Sequence, residues 1–208
     1  MMGKLFGATV RASAHSGIGM LLAGLGRYDE ARQNIEEGLR LVEPDGTPAD
    51  IAWKWAHLGW VDLVEGEPAH DAGILRQGAE RLHRALPVLL ERENAEDWDA
   101  MLHVAARLHL LLGEVDEALA LSTELMQLSA NIPYPNNLEL YRFTHSQILR
   151  RLGRDAEAGD ALRSAYERVM LVASKLQDAA LRRSWLEDSW LIRDIVQAVE
   201  HFSSGAVS

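Results

Sequence analysis

Cysteine is absent from the 208 residues of this chain. Without a thiol the protein can form no disulfide, no thiolate zinc site and no cysteine nucleophile, which is compatible with a cytosolic location. Positive charge is also in short supply, because 31 Asp and Glu residues outnumber 21 Lys and Arg residues and give a formal net charge of −10. An acidic surface repels nucleic acid and anionic membranes, so we expect neither as a partner.

Long apolar runs are lacking as well. The most membrane-like stretch, GIGMLLAGLG at 17–26, is far shorter than the roughly 20 residues that a bilayer-spanning helix needs. Basic residues precede this stretch, as in a secretory signal. However, no small-residue cleavage site follows, and RYDEA continues directly into a helical pattern. We therefore expect a cytoplasmic protein.

Catalytic and cofactor motifs are missing too. The sequence contains no GxSxG, HExxH or GxxxxGK[ST] pattern. His103 and His109 are six residues apart and lie on different faces of a helix, so they do not form a metal-binding pair. Gly17 and Gly19 fit helix packing better than a phosphate loop, because no strand precedes them. The acidic stretch at 91–99 is typical of a solvated loop, with cation binding as the alternative. We expect no enzyme activity, no metal and no cofactor.

A repeated pattern is present instead. Four glycines at intervals of 40, 47 and 40 residues each separate two apolar helical stretches, and acidic residues follow each glycine. Glycine ends a helix in the left-handed conformation without steric cost, and an acid favours the start of the next helix. Turn residues at 43–50 and 131–137 separate successive hairpins, and the sequence contains no period-two strand pattern. The pattern predicts four helical hairpins with turns near Gly26, Gly66, Gly113 and Gly153.

These residues resemble the tetratricopeptide repeat (TPR) over roughly residues 10–175, although the repeats exceed the usual length of about 34 residues. The resemblance implies an all-α, right-handed solenoid of about four antiparallel hairpins whose concave face binds a protein or peptide. The matching positions are Ile18 and Gly19 in the first hairpin, Trp55, Leu58 and Gly59 in the second, and Tyr28, Ala31, Ala118 and Ala158 after the turns.

The end of the chain resembles a narrower group. DAALRRSWLEDSWLIRDIV at 178–196 is similar to a Leu-Arg-Arg-Ser-Phe-Leu-Glu segment that often closes the repeat arrays of large bacterial signalling and transcriptional regulators, with Trp185 in place of Phe. The resemblance implies a repeat array over 1–176, a C-terminal capping helix over 177–202 and a flexible tail over 203–208. Both a free-standing adaptor and a regulatory part of a larger protein fit this pattern.

One helical stripe is free of carboxylates. In stacked hairpins of this family the first helices line the concave surface, and residues 13, 10, 6 and 3 positions before each turn glycine share one face of those helices. We name these sixteen positions the predicted stripe. Aromatic and arginine side chains are enriched among binding hot spots, so its candidate partner-binding residues are Trp53, Trp60, His103, Arg107, Phe143, Gln147 and Arg150. The other members are Ser13, Ser16, Met20, Ala23, Ala56, Leu63, Ala100, Leu110 and Leu140.

The predicted stripe favours a non-enzymatic module that binds an apolar or aromatic peptide carrying negative charge. Ser16, Met20, Ala56 and Trp60 stand where relatives that clamp a terminal carboxylate place Lys and Asn, so that activity is not expected. Three alternatives remain open. The stripe could be buried as core, the chain could sense a small molecule or signal peptide, or the tryptophans could form a homo-oligomer interface.

Overall fold

The computed structural model describes residues 2–91, 98–130, 137–188 and 190–205, and this part of the chain is α-helical with no strand. The all-α class expected from the sequence is therefore confirmed. Residues 92–97 of the predicted acidic loop, residues 131–136 and the tail end at 206–208 lie outside the described residues. The helices are α1 (Met2–Gly24), α2 (Tyr28–Val42), α3 (Pro48–Ala69), α4 (Ala72–Leu90), α5 (Trp98–Leu112), α6 (Val115–Ser129), α7 (Leu138–Arg151), α8 (Asp155–Lys175), α9 (Ala179–Glu187) and α10 (Trp190–Gly205).

The helices form two compact units, residues 1–114 with α1–α5 and residues 115–208 with α6–α10. In the first unit, α1 packs on α2, α3 packs on α4, and α3 also contacts α1, α2 and α5. Its core includes Ile35, Leu58 and Val61. In the second unit, α7 packs on α8 and both contact α10. Phe143 and Ile195 belong to the core that these three helices share.

Three glycines end helices in the left-handed conformation. The φ angles of Gly26, Gly113 and Gly153 are 74°, 80° and 72°, at the ends of α1, α5 and α7. At each, the backbone N–H of the next residue donates to the carbonyl five positions earlier, for example from Arg27 to Leu22 at 2.9 Å. This is the Schellman arrangement, which satisfies carbonyl groups at a helix end.

The second turn lies later than the predicted position near Gly66. Helix α3 continues through Gly66 to Ala69, and His70 adopts the left-handed conformation with φ 52°. The Asp71 carboxylate then caps α4 by accepting from the N–H groups of Gly73 and Ile74 at 2.8 and 3.1 Å. Gly66 instead serves packing, because a Cβ there would lie 3.0 Å from the Leu75 side chain. The sequence pattern did not distinguish a packing glycine from a helix-ending one.

Close helix contacts explain two further glycines. A Cβ on Gly59 of α3 would lie 1.9 Å from Leu82 Cδ2 and 3.1 Å from the carbonyl oxygen of Gly78 in α4. A Cβ on Gly19 of α1 would lie 2.8 Å from the carbonyl oxygen of Ala31 in α2. The helix-packing role expected for Gly19 is therefore confirmed. It is wrong for Gly17, where a Cβ would meet nothing within 4 Å.

The segment expected to form one capping helix forms two. Helix α9 ends at Glu187 and α10 begins at Trp190. The Asp178 carboxylate caps α9, and the Trp185 indole N–H donates to the Val169 carbonyl at 3.3 Å. None of the residues of α9 is buried, whereas α10 places Ile192 and Ile195 in the core with α8. Because α10 supplies the apolar face, it covers α8 and α7, and α9 connects it to α8.

A buried carboxylate joins three helices of the first unit. Asp62 of α3 has no exposed side-chain surface. It accepts hydrogen bonds from Arg32 of α2, at 2.9 Å from Nη2, and from Arg81 of α4, at 2.5 Å from Nη1. Burial raises the pKa of the Asp62 carboxyl, while both guanidinium groups oppose that rise. These two ion pairs fix how α2, α3 and α4 pack together, because any other arrangement would leave the buried Asp62 carboxylate unpaired.

We predict that Asp62→Ala lowers the free energy of unfolding by about 3–5 kcal/mol, because the buried Arg81 then loses its carboxylate. The measurement is urea unfolding followed by circular dichroism. Glu37→Ala is the matched control, since it removes an exposed carboxylate paired with Arg40 and should cost about 1 kcal/mol or less. Equal losses in the two variants would contradict a structural role for the Asp62 cluster.

Candidate functional site

Two partly exposed tryptophans of α3 belong to the predicted stripe in the first unit. A capping box starts this helix, because the Thr47 hydroxyl accepts from the Asp50 N–H and the Asp50 carboxylate accepts from the Thr47 N–H. Trp53 stacks on His57, with ring centroids 5.7 Å apart and planes at 29°. Trp60 packs against the core formed by α1, α2 and α3. Both indoles thus have one face fixed and some surface left accessible.

The two α5 members of the predicted stripe are buried. His103 is 8% exposed and Arg107 is 4% exposed. The Arg107 guanidinium binds the Glu67 carboxylate of α3 in two-pronged fashion, with Nε 2.8 Å from Oε2 and Nη2 bonded to Oε1. It therefore holds α5 to α3 inside the unit. His103 and Arg107 therefore fit the alternative interpretation, in which residues of the predicted stripe belong to the core.

Burial also determines the charge of two histidines. It lowers the pKa of His103 to about 3, with Arg107 acting in the same direction. It lowers the pKa of His57 to about 4, with Lys54 acting in the same direction. His57 Nδ1 is buried and has no hydrogen-bond partner within the described residues. Both rings are therefore neutral at pH 7. In the described part of the chain, no group of three or more His, Asp or Glu residues could hold a metal ion.

Because the folded chain keeps the His57 and His103 rings neutral, its free energy of unfolding should fall at acidic pH. An unfolded histidine titrates near pH 6.5, so the unfolded chain takes up protons that the folded chain excludes down to about pH 4 and 3. The stabilisation is complete above pH 6.5 and is lost as the pH falls, by about 1.4 kcal/mol per pH unit per ring. We predict that His103→Gln flattens the dependence of unfolding free energy on pH between 6.5 and 4.

The control for this measurement is His83→Gln, which removes an exposed histidine from the same unit. For this control, urea unfolding at a series of pH values should give the same slope of unfolding free energy against pH as the wild-type chain. An unchanged slope for His103→Gln would show that the buried ring does not contribute to the acid sensitivity.

Three members of the predicted stripe come together in the second unit. Phe143, Gln147 and Arg150 of α7 line a cavity of about 90 Å³. Phe143 is buried, Gln147 is partly exposed and Arg150 is exposed, so the three span the cavity from core to solvent. The remaining lining residues are Ser146 of α7, Ala158 and Leu162 of α8, and Ala198 of α10.

A second cavity, of about 400 Å³, was missed by the sequence analysis. It lies between α4 and α5, whereas the predicted stripe takes its residues from the first helix of each hairpin and α4 is a second helix. The spacing of Arg76, Glu80 and Arg84 is the available signal, since residues four apart share a helix face. The lining residues are Arg76, Ala79, Glu80, His83, Arg84, His109, Leu112 and Glu114.

A membrane crossing requires a helix that is both long and apolar, and none of the described helices meets both requirements. No family model matches the chain, and no curated protein matches it.

Similarity to solved structures shows the fold. A kinesin light chain from Podosopora anserina with nearly identical TPR-like repeats superposes with a TM-score of 0.63 at 14% identity, over 95% of this chain and 97% of that one. MamA from AMB-1 gives a TM-score of 0.51 at 19% identity, over 94% and 93% of the two chains. A MamA point mutant gives 0.50 at 18% identity, over 94% of each. The chain has a TPR-like helical repeat fold.

Proposed function

We propose that this chain is a non-enzymatic, cytoplasmic interaction module that binds a protein or peptide partner. The observation that carries the proposal is the cavity on α7, α8 and α10. Three residues chosen from the sequence for a partner-binding stripe, Phe143, Gln147 and Arg150, line this one cavity. TPR-like neighbours support an interaction role in general, and the cavity supports this location for it.

The chemistry of the cavity suits one apolar side chain beside an acidic group. Phe143, Ala158, Leu162 and Ala198 give it apolar walls. Its volume of about 90 Å³ is well below the roughly 300–1,000 Å³ of small-molecule sites. Arg150 supplies a guanidinium on the exposed side, where a partner carboxylate can accept hydrogen bonds. The partner we propose is therefore a peptide segment with an aliphatic side chain next to Asp or Glu.

A separate contact surface is proposed for the first unit. The accessible surfaces of Trp53 and Trp60 offer large apolar contact area with polar indole N–H groups, as binding hot spots often do. His103 and Arg107 are omitted from the surface because they are buried.

The test of the cavity uses two neighbouring arginines. Arg150 lines the cavity, whereas Arg151 is equally exposed and lies outside its lining. Peptides selected on the wild-type chain from a random display library should share an aliphatic residue beside an acid. We predict that Arg150→Glu weakens their binding by about tenfold or more, since one charge-assisted contact contributes about 1.5–3 kcal/mol. Arg151→Glu should leave the affinity within about twofold.

Fluorescence polarisation with labelled peptides gives these affinities, and thermal unfolding establishes that both variants fold. Equal binding to the two variants would overturn the cavity as the binding site. Failure of the library to yield any peptide that binds the wild type would overturn the proposed function itself.

Self-association is a second candidate function, favoured by an apolar face on α1. Val10, Ile18 and Leu21 of α1 and Leu25, the residue directly after the helix, are all exposed, the last two at 73% and 72%. Their separations of 8, 3 and 4 residues place them on one face of the helix. Because large exposed apolar patches mark interaction sites, we propose that this face is a contact surface between two copies of the chain.

We predict a mass above the monomer value of 23.1 kDa by light scattering, and a return to the monomer mass for Leu21→Glu. Gln33→Glu, an exposed substitution on α2 with the same change in charge, should retain the higher mass. A monomer mass for the wild-type chain at concentrations up to about 100 μM would contradict self-association at physiological concentrations.

A further inference from the structure

The larger cavity, between α4 and α5, has the size and lining of a small-molecule site. Its volume of about 400 Å³ lies within the range of roughly 300–1,000 Å³ that such sites occupy. Ala79 and Leu112 supply apolar surface, and the other six lining residues are charged or titratable. We name this cavity the α4–α5 cleft.

Two arginines of the α4–α5 cleft have no carboxylate partner among the residues that the structure describes. Helices α2 to α5 contain six arginines, and Arg32, Arg40, Arg81 and Arg107 each pair with an Asp or Glu. Within the described residues, Arg76 and Arg84 form no ion pair, and both line the cleft. The two arginines of α2–α5 that form no ion pair within the described residues thus line the same cavity, in a chain whose formal net charge is −10.

Neighbouring side chains orient one of these arginines, Arg84, and pair one acid of the cleft, Glu114. The Arg84 guanidinium lies 5.5 Å from the centroid of the Trp55 ring, an arrangement that orients it without neutralising it. Glu114 is engaged with His109, with Oε2 2.6 Å from Nδ1. Glu80 lies one helical turn from both arginines but forms no ion pair within the described part of the chain. Its charge opposes a bound anion and limits the affinity.

We propose that the α4–α5 cleft binds a small dianion, a dicarboxylate or a phosphate monoester, through Arg76 and Arg84. A guanidinium group presents forked N–H donors that match the paired oxygens of either acidic group. Two such groups in one cavity suit a compact ligand with two negative charges. This binding site is additional to the proposed partner cavity of the second unit, and no residue is shared between them.

The test is isothermal titration calorimetry on the full chain with two probes, succinate and methyl phosphate. Binding of succinate alone assigns the site to carboxylates, and binding of methyl phosphate alone assigns it to phosphate esters. For the probe that binds, we expect Arg76→Gln and Arg84→Gln each to weaken binding by about tenfold or more. Arg76 is exposed and forms no hydrogen bond or ion pair with another side chain in the described residues, so its substitution tests the anion contact without removing such an interaction.

Two further variants make the outcome decisive. Arg11→Gln removes an exposed arginine of α1 outside the cleft and should leave binding unchanged. Glu80→Gln should tighten binding several-fold, because it removes the repulsion between Glu80 and the anion. The proposal is overturned if neither probe binds at about 10 mM, if Arg76→Gln binds as the wild type does, or if Glu80→Gln weakens binding.

Discussion

The arrangement of the first unit depends on the buried carboxylate of Asp62. It accepts hydrogen bonds from Arg32 and Arg81, so α2 and α4 must both present a guanidinium to the same point on α3. One and a half turns further along α3, Glu67 binds Arg107 of α5. A central helix therefore provides the acids, and its neighbours provide the bases. Because unpaired buried charges are costly, this pairing selects one packing of the helices over alternatives with similar apolar burial.

The same pairing explains which site residues could not be predicted. Arg107 stands on a helix stripe without carboxylates, and that pattern favoured a binding surface. Its partner Glu67 lies 40 residues earlier and on another helix. Periodicity within one helix shows which residues share a face, but it does not show which face meets a neighbouring helix. His103 was assigned to a surface for the same reason and is buried, whereas Phe143 is buried but lines the cavity of the second unit.

The fold could be predicted from the sequence more fully than the site, because the sequence signals of the fold are local. Glycine followed by acid marks helix ends, and Leu58–Gly59 marks a close approach between helices, so a short window of sequence contains the whole signal. The exceptions have local physical causes as well. His70 takes a left-handed conformation that favours glycine, and Gly66 packs against Leu75 instead. The segment between α9 and α10 contains no Gly or Pro, so no helix-breaking residue indicated that the capping segment would divide.

Ion pairing among α2–α5 also shows which arginines of these helices have no acidic partner within the described residues. Most arginines of α2–α5 form ion pairs, whereas Arg76 and Arg84 form none within the described residues, and both line one cleft. The α7 cavity has the opposite character, since its walls are apolar and Arg150 lies at its exposed side. The first chemistry favours a small dianion, whereas the second favours an aliphatic side chain beside an acid. Because the two sites share no residue and belong to different units, substitutions at one leave the lining of the other intact, and each proposal can fail without the other.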